Sequence, residues 1–432
     1  MFQGDDTGAG DGSRDLKAGV RVRVENQLSR DFARAERRRR LQAFALVAPL
    51  LLFLLFTFLL PIFDMLRRAV HDPELAAVWP RTAALLRDWD GEGEPPAAAF
   101  NALAADMKAS MRAGNTAIAA RRLNYPIHGG RSLVMNTARK VARTAEPPAG
   151  GWRAVFLEAN PAWAKRDTWV ALARASGPVT DFFLLSAVDL RKDTNGRLIA
   201  APAAEAIYLM VLGRTFSIAG LVALITLVLG YPLAYVMATG SARVAALLTL
   251  FVLLPFWTSL LVRTAAWIVL LQDQGVINKV LIALGLIDHP VRLIFNRIGV
   301  VVAMVHVLLP FMVLPLAAVM RGVKPETVRA ARSLGAAPWT AFRRVYFPQT
   351  LPGVRAGVLL VFISAIGYYI TPALVGGADD QMLASFIAFY TNETVNWGLA
   401  AALGVLLLVA TAALGAVYAR VTAGAPVWGN VR

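Results

Sequence analysis

Six runs of apolar residues, each long enough to cross a lipid bilayer, constrain the fold of this chain more than any other feature. A helix needs roughly 20 apolar residues to cross a hydrocarbon core about 30 Å thick. The runs lie at residues 41–63, 206–238, 244–271, 300–320, 354–375 and 397–418. With 57% hydrophobic and 17% charged residues overall, the chain is predicted to be an all-α integral membrane protein with six transmembrane helices.

The distribution of charge predicts the orientation of these spans. The link at 321–353 is rich in Arg and Lys, whereas the link at 376–396 contains three acids and no Lys or Arg. Because Lys and Arg accumulate in cytoplasmic loops, we expect the first link and both chain ends in the cytoplasm. The net charge of +16 is therefore interpreted as topogenic charge rather than as a nucleic-acid surface.

The tails and the first long link complete the predicted organisation. Residues 1–40 have too few apolar positions to fold alone and predict a disordered cytoplasmic tail, followed by an uncleaved anchor at 41–63. Residues 64–205 show helical apolar spacing interrupted by Gly and Pro. They predict a large, mainly helical extracytoplasmic insertion between helices 1 and 2. A five-helix core at 206–420 and a short cytoplasmic tail at 421–432 follow.

Several classes of function are disfavoured by the residues present. The absence of Cys excludes disulfides, thiolate zinc sites and Cys nucleophiles. An enzyme inside the bilayer needs clustered His, Asp or Glu, but His306 is the one clearly intramembrane histidine, and a core or pore-lining role is favoured for it. His71 and His128 are isolated. We expect no metal site, no bound cofactor and no catalytic activity, and a receptor with one anchor leaves six spans unexplained.

The link between the fourth and fifth spans carries a structured pattern of its own. A helix is predicted to begin at Pro325 and to end at Gly335, a typical C-terminal cap. A second helix is predicted to begin at Pro338 and to stop at Pro348, and Pro352 is expected to break the chain again before the fifth span. Its aromatic and apolar positions are too few for a span and indicate a surface that binds a partner.

The spacing in this link resembles the EAA loop of binding-protein-dependent ABC importer permeases. That pattern is Glu-Ala-Ala, three residues, Gly, nine residues and Ile-x-Leu-Pro, and Ala330, Ala331, Gly335 and Pro348 stand at its places. Arg329 stands where the family has Glu, and Glu326 is a candidate substitute one helical turn earlier. The resemblance implies a coupling helix that docks on a separate ATPase. The residues implied in coupling are Glu326, Arg329, Ala330, Ala331, Gly335, Trp339, Phe342, Val345 and Pro348.

Three further phrases resemble the spermidine/putrescine branch of these permeases: "LGYPLAYVMA" at 229–238, "LLPFWTSLLVRTAAWIVLL" at 253–271 and "IGYYITPALVGG" at 366–377. The resemblance covers about 200–420 and implies the type I ABC importer permease fold in a bacterial inner membrane. The implied partners are a second permease subunit, two cytoplasmic ATPase subunits that bind ATP and Mg, a periplasmic solute-binding protein and lipid. No GxxxxGK[ST] motif occurs in this chain.

The resemblance implies a small polar solute as cargo, with a polyamine such as spermidine or putrescine first. An amino-acid derivative or another small organic solute is the alternative, because an acid often found near Tyr368 or Tyr369 in polyamine relatives is absent. Aromatic faces at these positions suit an ammonium group, and they equally suit other solutes. The two cargo classes stay open at this point.

Arg263 marks the predicted pathway on physical grounds. A charge at the centre of a span costs at least about 2.5–3.5 kcal/mol, so Arg263 should face a polar cavity or a partner, or else snorkel to the interface beside Trp267. Asp273 is the nearest acid in sequence that could pair with it. Pro372 predicts a bend in the fifth span. The predicted pathway residues are Trp257, Thr258, Arg263, Thr264, Trp267, Tyr368, Tyr369, Thr371 and Pro372.

Overall fold

The computed structural model describes residues 36–423, which are mostly helical. Among these residues, six helices are long and apolar enough to cross a membrane: Glu36–Arg67, Tyr208–Thr239, Leu260–Ala283, Arg297–Arg321, Pro338–Ile366 and Trp397–Val421. The prediction of a helical membrane protein with six spans is confirmed. The predicted tails 1–40 and 421–432 lie mostly outside the described residues, but 36–40 and 421–423 are helical extensions of the adjoining spans.

The first span, Glu36–Arg67, is helix α1. Its residues up to Met65 belong to a compact unit separate from the rest of the chain. It contains a π turn at Leu55–Leu59, closed by the Leu60 N–H, which donates to the Leu55 carbonyl. Pro61 follows directly in the helix. A proline ring clashes with the carbonyl four residues earlier, and the wider π turn relieves that clash. The span predicted at 41–63 is therefore part of a longer, unbroken helix.

The insertion between the first and second spans consists of eight α-helices and one hairpin among the described residues. The helices are α2 (Glu74–Val78), α3 (Pro80–Arg87), α4 (Ala97–Ala113), α5 (Thr116–Leu123), α6 (Gly130–Arg143), α7 (Gly151–Ala159), α8 (Arg166–Ala175) and α9 (Phe182–Ala187). Strands β1 (Leu190–Lys192) and β2 (Leu198–Ala200) pair antiparallel. The mainly helical insertion is confirmed, while the hairpin was not predicted.

Aromatic rings fill the core of the insertion. Trp163 packs edge to face against Phe156 and Trp169, with ring centroids 5.1 and 5.6 Å apart. Phe100 lies 4.6 Å from Trp169, and all four rings are buried. Such pairs add about 0.5–1.5 kcal/mol each beyond the burial of their area. The insertion therefore has a hydrophobic core of its own.

The two chain ends of the insertion are joined by backbone and ionic contacts. The Thr180 N–H donates to the Val70 carbonyl at 2.8 Å, and the Asp72 N–H donates to the Pro178 carbonyl at 3.1 Å. The Asp72 carboxylate forms an ion pair with Arg122, and both side chains are almost completely buried. Removing one partner of a buried pair costs about 3–5 kcal/mol. The first and last segments of the insertion are therefore held together by interactions whose loss would strongly destabilise it.

The remaining helices form the membrane core. They are α10 (Tyr208–Thr239), α11 (Ala242–Leu253), α12 (Leu260–Leu271), α13 (Val276–Ala283), α14 (Arg297–Arg321), α15 (Pro325–Ser333), α16 (Pro338–Ile366), α17 (Ile370–Val375), α18 (Leu383–Asn392) and α19 (Trp397–Ala423). Helix α14 lies at the centre of the core. In its most apolar 18-residue stretch 67% is buried within the chain, against 33% or less in the corresponding stretches of the other core spans.

Small residues bring α10 and α16 close to α14. A Cβ atom added at Gly357 would lie 2.7 Å from the Met312 sulfur, and one added at Gly353 would lie 2.9 Å from Val319 Cβ. A Cβ at Gly230 of α10 would lie 3.1 Å from Met312 Cγ. Glycines of this kind let backbones approach closely, which drives helix association in lipid. The packing of the three helices therefore depends on these positions.

The insertion is attached directly to the N-terminal ends of two core helices. Both carboxylate oxygens of Asp189 accept backbone N–H groups at 2.9 Å, one from Tyr208 and one from Leu209, at the start of α10. The ring of Phe183 packs against Gly398 near the start of α19, where any Cβ atom would overlap it. A carboxylate stabilises the N-terminal end of a helix. The insertion and these two spans are therefore joined by capping and packing as well as by the chain.

The third span differs from its predicted range of 244–271. Helix α11 ends at Leu253, a 3-10 turn occupies Leu254–Trp257, and α12 begins at Leu260. Pro255 in this turn has no N–H to continue the α-helical bonds. The segment that qualifies as a span is Leu260–Ala283. The prediction of one continuous helix over 244–271 is wrong.

The fifth span differs from its predicted range of 354–375. Helix α16 begins at Pro338, continues through Pro348 and Pro352, and ends at Ile366. The predicted stop at Pro348 and the predicted break at Pro352 are therefore wrong. A π turn at Phe342–Tyr346 precedes Pro348, as another precedes the proline in α1, and it moves the clashing carbonyl away from the ring.

Candidate functional site

The loop between α14 and α16 is built around a glycine turn. Helix α15 ends in a turn where the Gly335 N–H donates to the Arg332 carbonyl at 3.0 Å and the Ala336 N–H donates to the Ala331 carbonyl at 3.1 Å. These two bonds are the Schellman pattern of a helix C-terminus. Gly335 has a φ of +87°, which favours glycine. The predicted helix end at Gly335 is confirmed.

The unusual Arg329 pairs with Glu326 inside the loop. The guanidinium Nη2 lies 3.0 Å from the Glu326 carboxylate, and the side chains are 72% and 69% exposed. The spacing is i, i+3 on α15, and exposed pairs of this kind contribute about 0.3–0.5 kcal/mol. The loop therefore presents a carboxylate one turn before the position at which the EAA pattern has one, beside a guanidinium.

Large apolar side chains stand exposed on both sides of the glycine turn. Leu334 is 89% exposed before Gly335, and Trp339 is 69% exposed after it. Ala330 and Pro348 are exposed and Ala331 and Val345 are half-buried. This exposed edge is typical of a surface that another protein covers. The roles of these residues in coupling stay a prediction.

A stack of aromatic rings leads from this edge into the membrane core. Trp339 stacks on Phe342 with centroids 5.4 Å apart, and Phe342 stacks on Tyr346 at 5.9 Å. Tyr231 of α10 meets Phe342 edge to face at 6.2 Å, and Tyr235 meets Tyr346 at 5.5 Å. We call these five rings the aromatic stack. They connect the loop physically to α10.

Sequence reasoning missed two members of the aromatic stack, Tyr231 and Tyr235. The signal was present in "LGYPLAYVMA", because two tyrosines four residues apart lie on one face of a helix. A hydrogen bond reinforces the contact, since the Tyr231 hydroxyl lies 3.0 Å from the Thr350 hydroxyl of α16. The connection between α10 and α16 therefore has both packing and polar components.

A second group of predicted residues meets between α12, α14 and α17. The Trp267 Nε1–H donates to His306 Nδ1 at 3.1 Å, and the hydroxyls of Thr264 and Thr371 lie 3.5 Å apart. Arg263 is the charged member of this group. We call these five residues the pathway cluster. His306 was assigned a core or pore-lining role from its position alone, and its contact with Trp267, 39 residues away in sequence, was not predicted.

Arg263 has incomplete hydrogen bonding in this cluster. Its Nη2 donates to the Thr258 carbonyl at 3.3 Å, but its Nε and Nη1 atoms are buried and have no hydrogen-bond partner among the described residues. The guanidinium also acts electrostatically on His306 and Tyr368. Helix α12 ends at Leu271, so Asp273 lies in the turn beyond the helix that carries Arg263. The suggested pairing of Arg263 with Asp273 is not present among the described residues.

Trp257 and Tyr369 are not among the contacts of this cluster, whereas Thr258 touches it through the carbonyl that accepts from Arg263. Trp257 is 71% exposed, Tyr369 is exposed, and the Thr258 hydroxyl donates to the Pro255 carbonyl at 3.1 Å. The predicted bend near Pro372 is confirmed as a break between α16 and α17. Pro372 lies in the first turn of α17, where a missing N–H is tolerated.

A set of polar contacts joins α10, α14 and α17. Arg297 at the start of α14 pairs with the buried Asp380, with Nε and Oδ1 3.1 Å apart. Arg214 of α10 donates to the Gln381 carbonyl at 3.4 Å. The Gln381 side chain donates in turn to the Pro372 carbonyl at 3.3 Å. Sequence reasoning missed this set, which joins three helices through residues far apart in the chain.

The insertion shows one strongly perturbed ionisable group and no cluster typical of a metal site. Burial raises the pKa of Tyr125 to about 12, so its hydroxyl stays neutral at physiological pH. Among residues 36–423, no group of three or more His, Asp or Glu side chains is arranged to hold a metal ion.

Comparison with known proteins identifies the core. Residues 209–424 match the family model "binding-protein-dependent transport system inner membrane component". The spermidine/putrescine transport system permease protein PotB of Haemophilus influenzae is 36% identical over 214 residues, which cover 50% of this chain and 75% of that protein. PotB of Escherichia coli is 34% identical over 216 residues, covering 50% and 78%.

Among the solved structures that match is the bacterial alginate ABC transporter in complex with an alginate pentasaccharide-bound periplasmic protein. It is 16% identical, covers 49% of this chain and 77% of that chain, and has a TM-score of 0.42. Half of the present chain thus has named counterparts. The insertion lies outside the residues matched by the family model.

Proposed function

The chain belongs to the family of binding-protein-dependent transport system inner membrane components, and from this membership we propose that it is one of two permease subunits of an ATP-driven importer in a bacterial inner membrane. The observation that carries the proposal is the loop around Gly335, which has the spacing of the EAA pattern and an exposed apolar edge. Its partners are a second permease subunit, two ATPase subunits and a solute-binding protein.

The orientation of the proposed transporter follows from charge. We infer that the loop 321–353 and both chain ends lie in the cytoplasm, because Arg and Lys are concentrated in that loop and accumulate in cytoplasmic loops. The insertion then lies on the periplasmic side, where the solute-binding protein docks. Its attachment to the starts of α10 and α19 through Asp189 and Phe183 provides a rigid route from docking to the spans.

The proposed cargo is a polyamine such as spermidine or putrescine. The support is that PotB, named as a spermidine/putrescine permease, aligns with half of this chain at 36% identity. A small amino-acid derivative is the second candidate cargo. It is favoured by one observation, since the core spans contain a single carboxylate, Asp273, to attract a cation.

Uptake by the complete transporter tests the proposal. The chain is co-expressed with its partner ATPase, permease and binding protein, purified as a complex and reconstituted in liposomes. We expect ATP-dependent uptake of labelled spermidine that needs the binding protein and is lost when the Walker lysine of the ATPase is changed to Ala. An excess of unlabelled amino acids should not compete. Uptake that continues without the ATPase, or no ATPase in the complex, contradicts the proposal.

Deletion of the insertion tests its assigned place. Removing residues 80–195 is expected to abolish stimulation of ATP hydrolysis by the binding protein while the two permease subunits still assemble. The matched control is deletion of the β1–β2 hairpin turn, 193–197, which leaves the helical core of the insertion intact. Full stimulation without the insertion contradicts a docking role.

A further inference from the structure

Arg263 carries a charge that its own chain does not compensate. Two of its three guanidinium nitrogens, Nε and Nη1, are buried without a hydrogen-bond partner among the described residues. The third, Nη2, donates to a backbone carbonyl, and no carboxylate in the described range forms an ion pair with this side chain. An isolated charge in a membrane span is strongly unfavourable, and such residues pair with another charged group or mark a pathway.

The five core spans of this chain contain a single acid. It is Asp273, which lies in the turn after α12 and does not form an ion pair with Arg263 among the described residues. A contrast is provided by Arg297, another cation at the core, which has Asp380 within its own chain at 3.1 Å. Arg297 therefore has an acidic partner within the chain, whereas Arg263 has none among the described residues.

The surface around Arg263 is left largely uncovered. Only 17% of the most apolar 18-residue stretch of the span Leu260–Ala283 is buried within the chain. Thr264 and Leu271 face the core, while Leu261 and Val262 are about 60% exposed. Because successive helical residues are separated by 100°, Arg263 stands at the edge between the covered and the uncovered face. The hydrogen bond from its Nη2 atom to the Thr258 carbonyl is exposed.

We propose that Arg263 forms an ion pair with a carboxylate of the second permease subunit, across the interface between the two subunits and beside the pathway cluster. This inference rests on the proposed function, since it requires that second subunit. A bare guanidinium repels a cationic cargo. A carboxylate from the facing subunit neutralises it and supplies the acidic half of the pathway that this chain lacks.

Charge reversal in the complete transporter tests the pair. Arg263→Glu is expected to lower uptake at least tenfold, and Arg263→Lys to retain a measurable part of it. An Asp→Arg or Glu→Arg change at one intramembrane acid of the second subunit should restore the Arg263→Glu transporter. The matched control is Arg297→Glu, which should be restored by Asp380→Arg in the same chain.

Crosslinking provides an independent measurement. The chain contains no Cys, so Arg263→Cys introduces its single thiol. With the restoring acid of a cysteine-free second subunit also changed to Cys, mild oxidation should give a disulfide-linked heterodimer. Val262→Cys, one residue away on the uncovered face, should crosslink to that position less efficiently.

The failure of the pair and the failure of the proposed function give different results. A wild-type complex that imports nothing contradicts the proposed function. If the wild-type complex imports its solute while Arg263→Gln imports at the same rate, or if restoring changes occur only within this chain, the intersubunit pair is wrong and the permease assignment stands. If Arg263→Gln instead abolishes uptake selectively for carboxylate-bearing solutes, the cargo supplies the carboxylate and the pair is again wrong.

Discussion

The loop between α14 and α16 and the pathway cluster use the same residue type in opposite ways. In the loop, Arg329 is exposed and pairs with Glu326 one turn away. In the cluster, two guanidinium nitrogens of Arg263 are buried, and the side chain has no acidic partner among the described residues. Charge interactions strengthen as water is excluded. The exposed charge of Arg329 therefore contributes little to stability, whereas the partly buried charge of Arg263 needs a compensating group.

The aromatic groups of the two regions differ in the same sense. In the loop, Trp339, Phe342 and Tyr346 follow at helical spacing, and neighbours along one helix stack. In the cluster, Trp267 reaches His306 on another helix through a hydrogen bond. Local order in the loop comes from the sequence itself, while order in the cluster exists only once the spans have packed. Perturbations should therefore have unequal effects.

The largest expected effect is at Arg263. We expect Arg263→Gln to lower uptake by the complete transporter at least tenfold, because the charge on the pathway wall is lost. Arg243→Gln is the control, since Arg243 is exposed at the start of α11 and lies outside both regions. The measurement is the initial rate of uptake in liposomes with equal amounts of assembled complex. If Arg243→Gln lowers the uptake rate as much as Arg263→Gln does, the special role assigned to Arg263 is contradicted.

The next effect is at the exposed edge of the loop. Changing Leu334 and Trp339 together to Ala removes the two most exposed large apolar groups near Gly335. We expect ATPase subunits to dissociate from the complex and uptake to fall about tenfold, while the melting temperature stays close to wild type, because neither side chain is buried. Leu408→Ala on α19, also exposed, is the control. Retention of the ATPase at wild-type levels contradicts the docking role.

An intermediate effect is expected at the glycine turn. Gly335 has a φ of +87°, and an L-residue there costs about 1–2 kcal/mol. Gly335→Ala should lower the coupling of ATP hydrolysis to uptake several-fold, and Gly335→Pro should abolish it because proline is fixed near −65°. Gly404→Ala is the control, since a Cβ at Gly404 meets nothing within 4 Å. The readout is solute imported per ATP hydrolysed.

A smaller effect is expected for the hydrogen bond between Trp267 and His306. Trp267→Phe keeps a ring but removes the N–H that donates at 3.1 Å, which is worth about 0.5–1.5 kcal/mol. We expect a loss of a few degrees in melting temperature and a severalfold fall in uptake. His306→Gln in the same background should add little, because the two groups share one bond. Fully additive losses indicate separate roles.

The smallest effect is expected for the exposed pair on α15. Exchanging the charges by Arg329→Glu together with Glu326→Arg keeps the pair, whereas Arg329→Glu alone places two acids together. We expect a change in the free energy of unfolding of at most about 0.5 kcal/mol, measured by thermal unfolding. The exchanged variant also restores Glu at the position of the EAA pattern. A larger change in stability shows that the pair is structural.

Sequence reasoning succeeded where the physical cause is local. Apolar runs define the spans, and the cap at Gly335 depends on residues within one turn. It failed at Pro348, because a proline normally ends a helix and only the preceding π turn lets α16 continue. Strands of three residues, such as β1, are too short to give a periodic signal.

The site was predictable in part for the same reason. Arg263, Thr264 and Trp267 stand on one short helix and were found together from sequence. Their partners His306 and Thr371 lie 39 and 107 residues away, and contacts over such separations depend on how the helices pack. The cap that Asp189 provides to α10 is another contact of this kind.

The most direct test of the central claim is to measure ATP hydrolysis and spermidine uptake in the same liposomes that contain the complete transporter. We predict that binding protein and solute stimulate both in the wild type, and that the Leu334→Ala, Trp339→Ala double variant loses uptake and this stimulation together. Uptake that persists in the double variant, or uptake that is independent of ATP hydrolysis, would contradict the account.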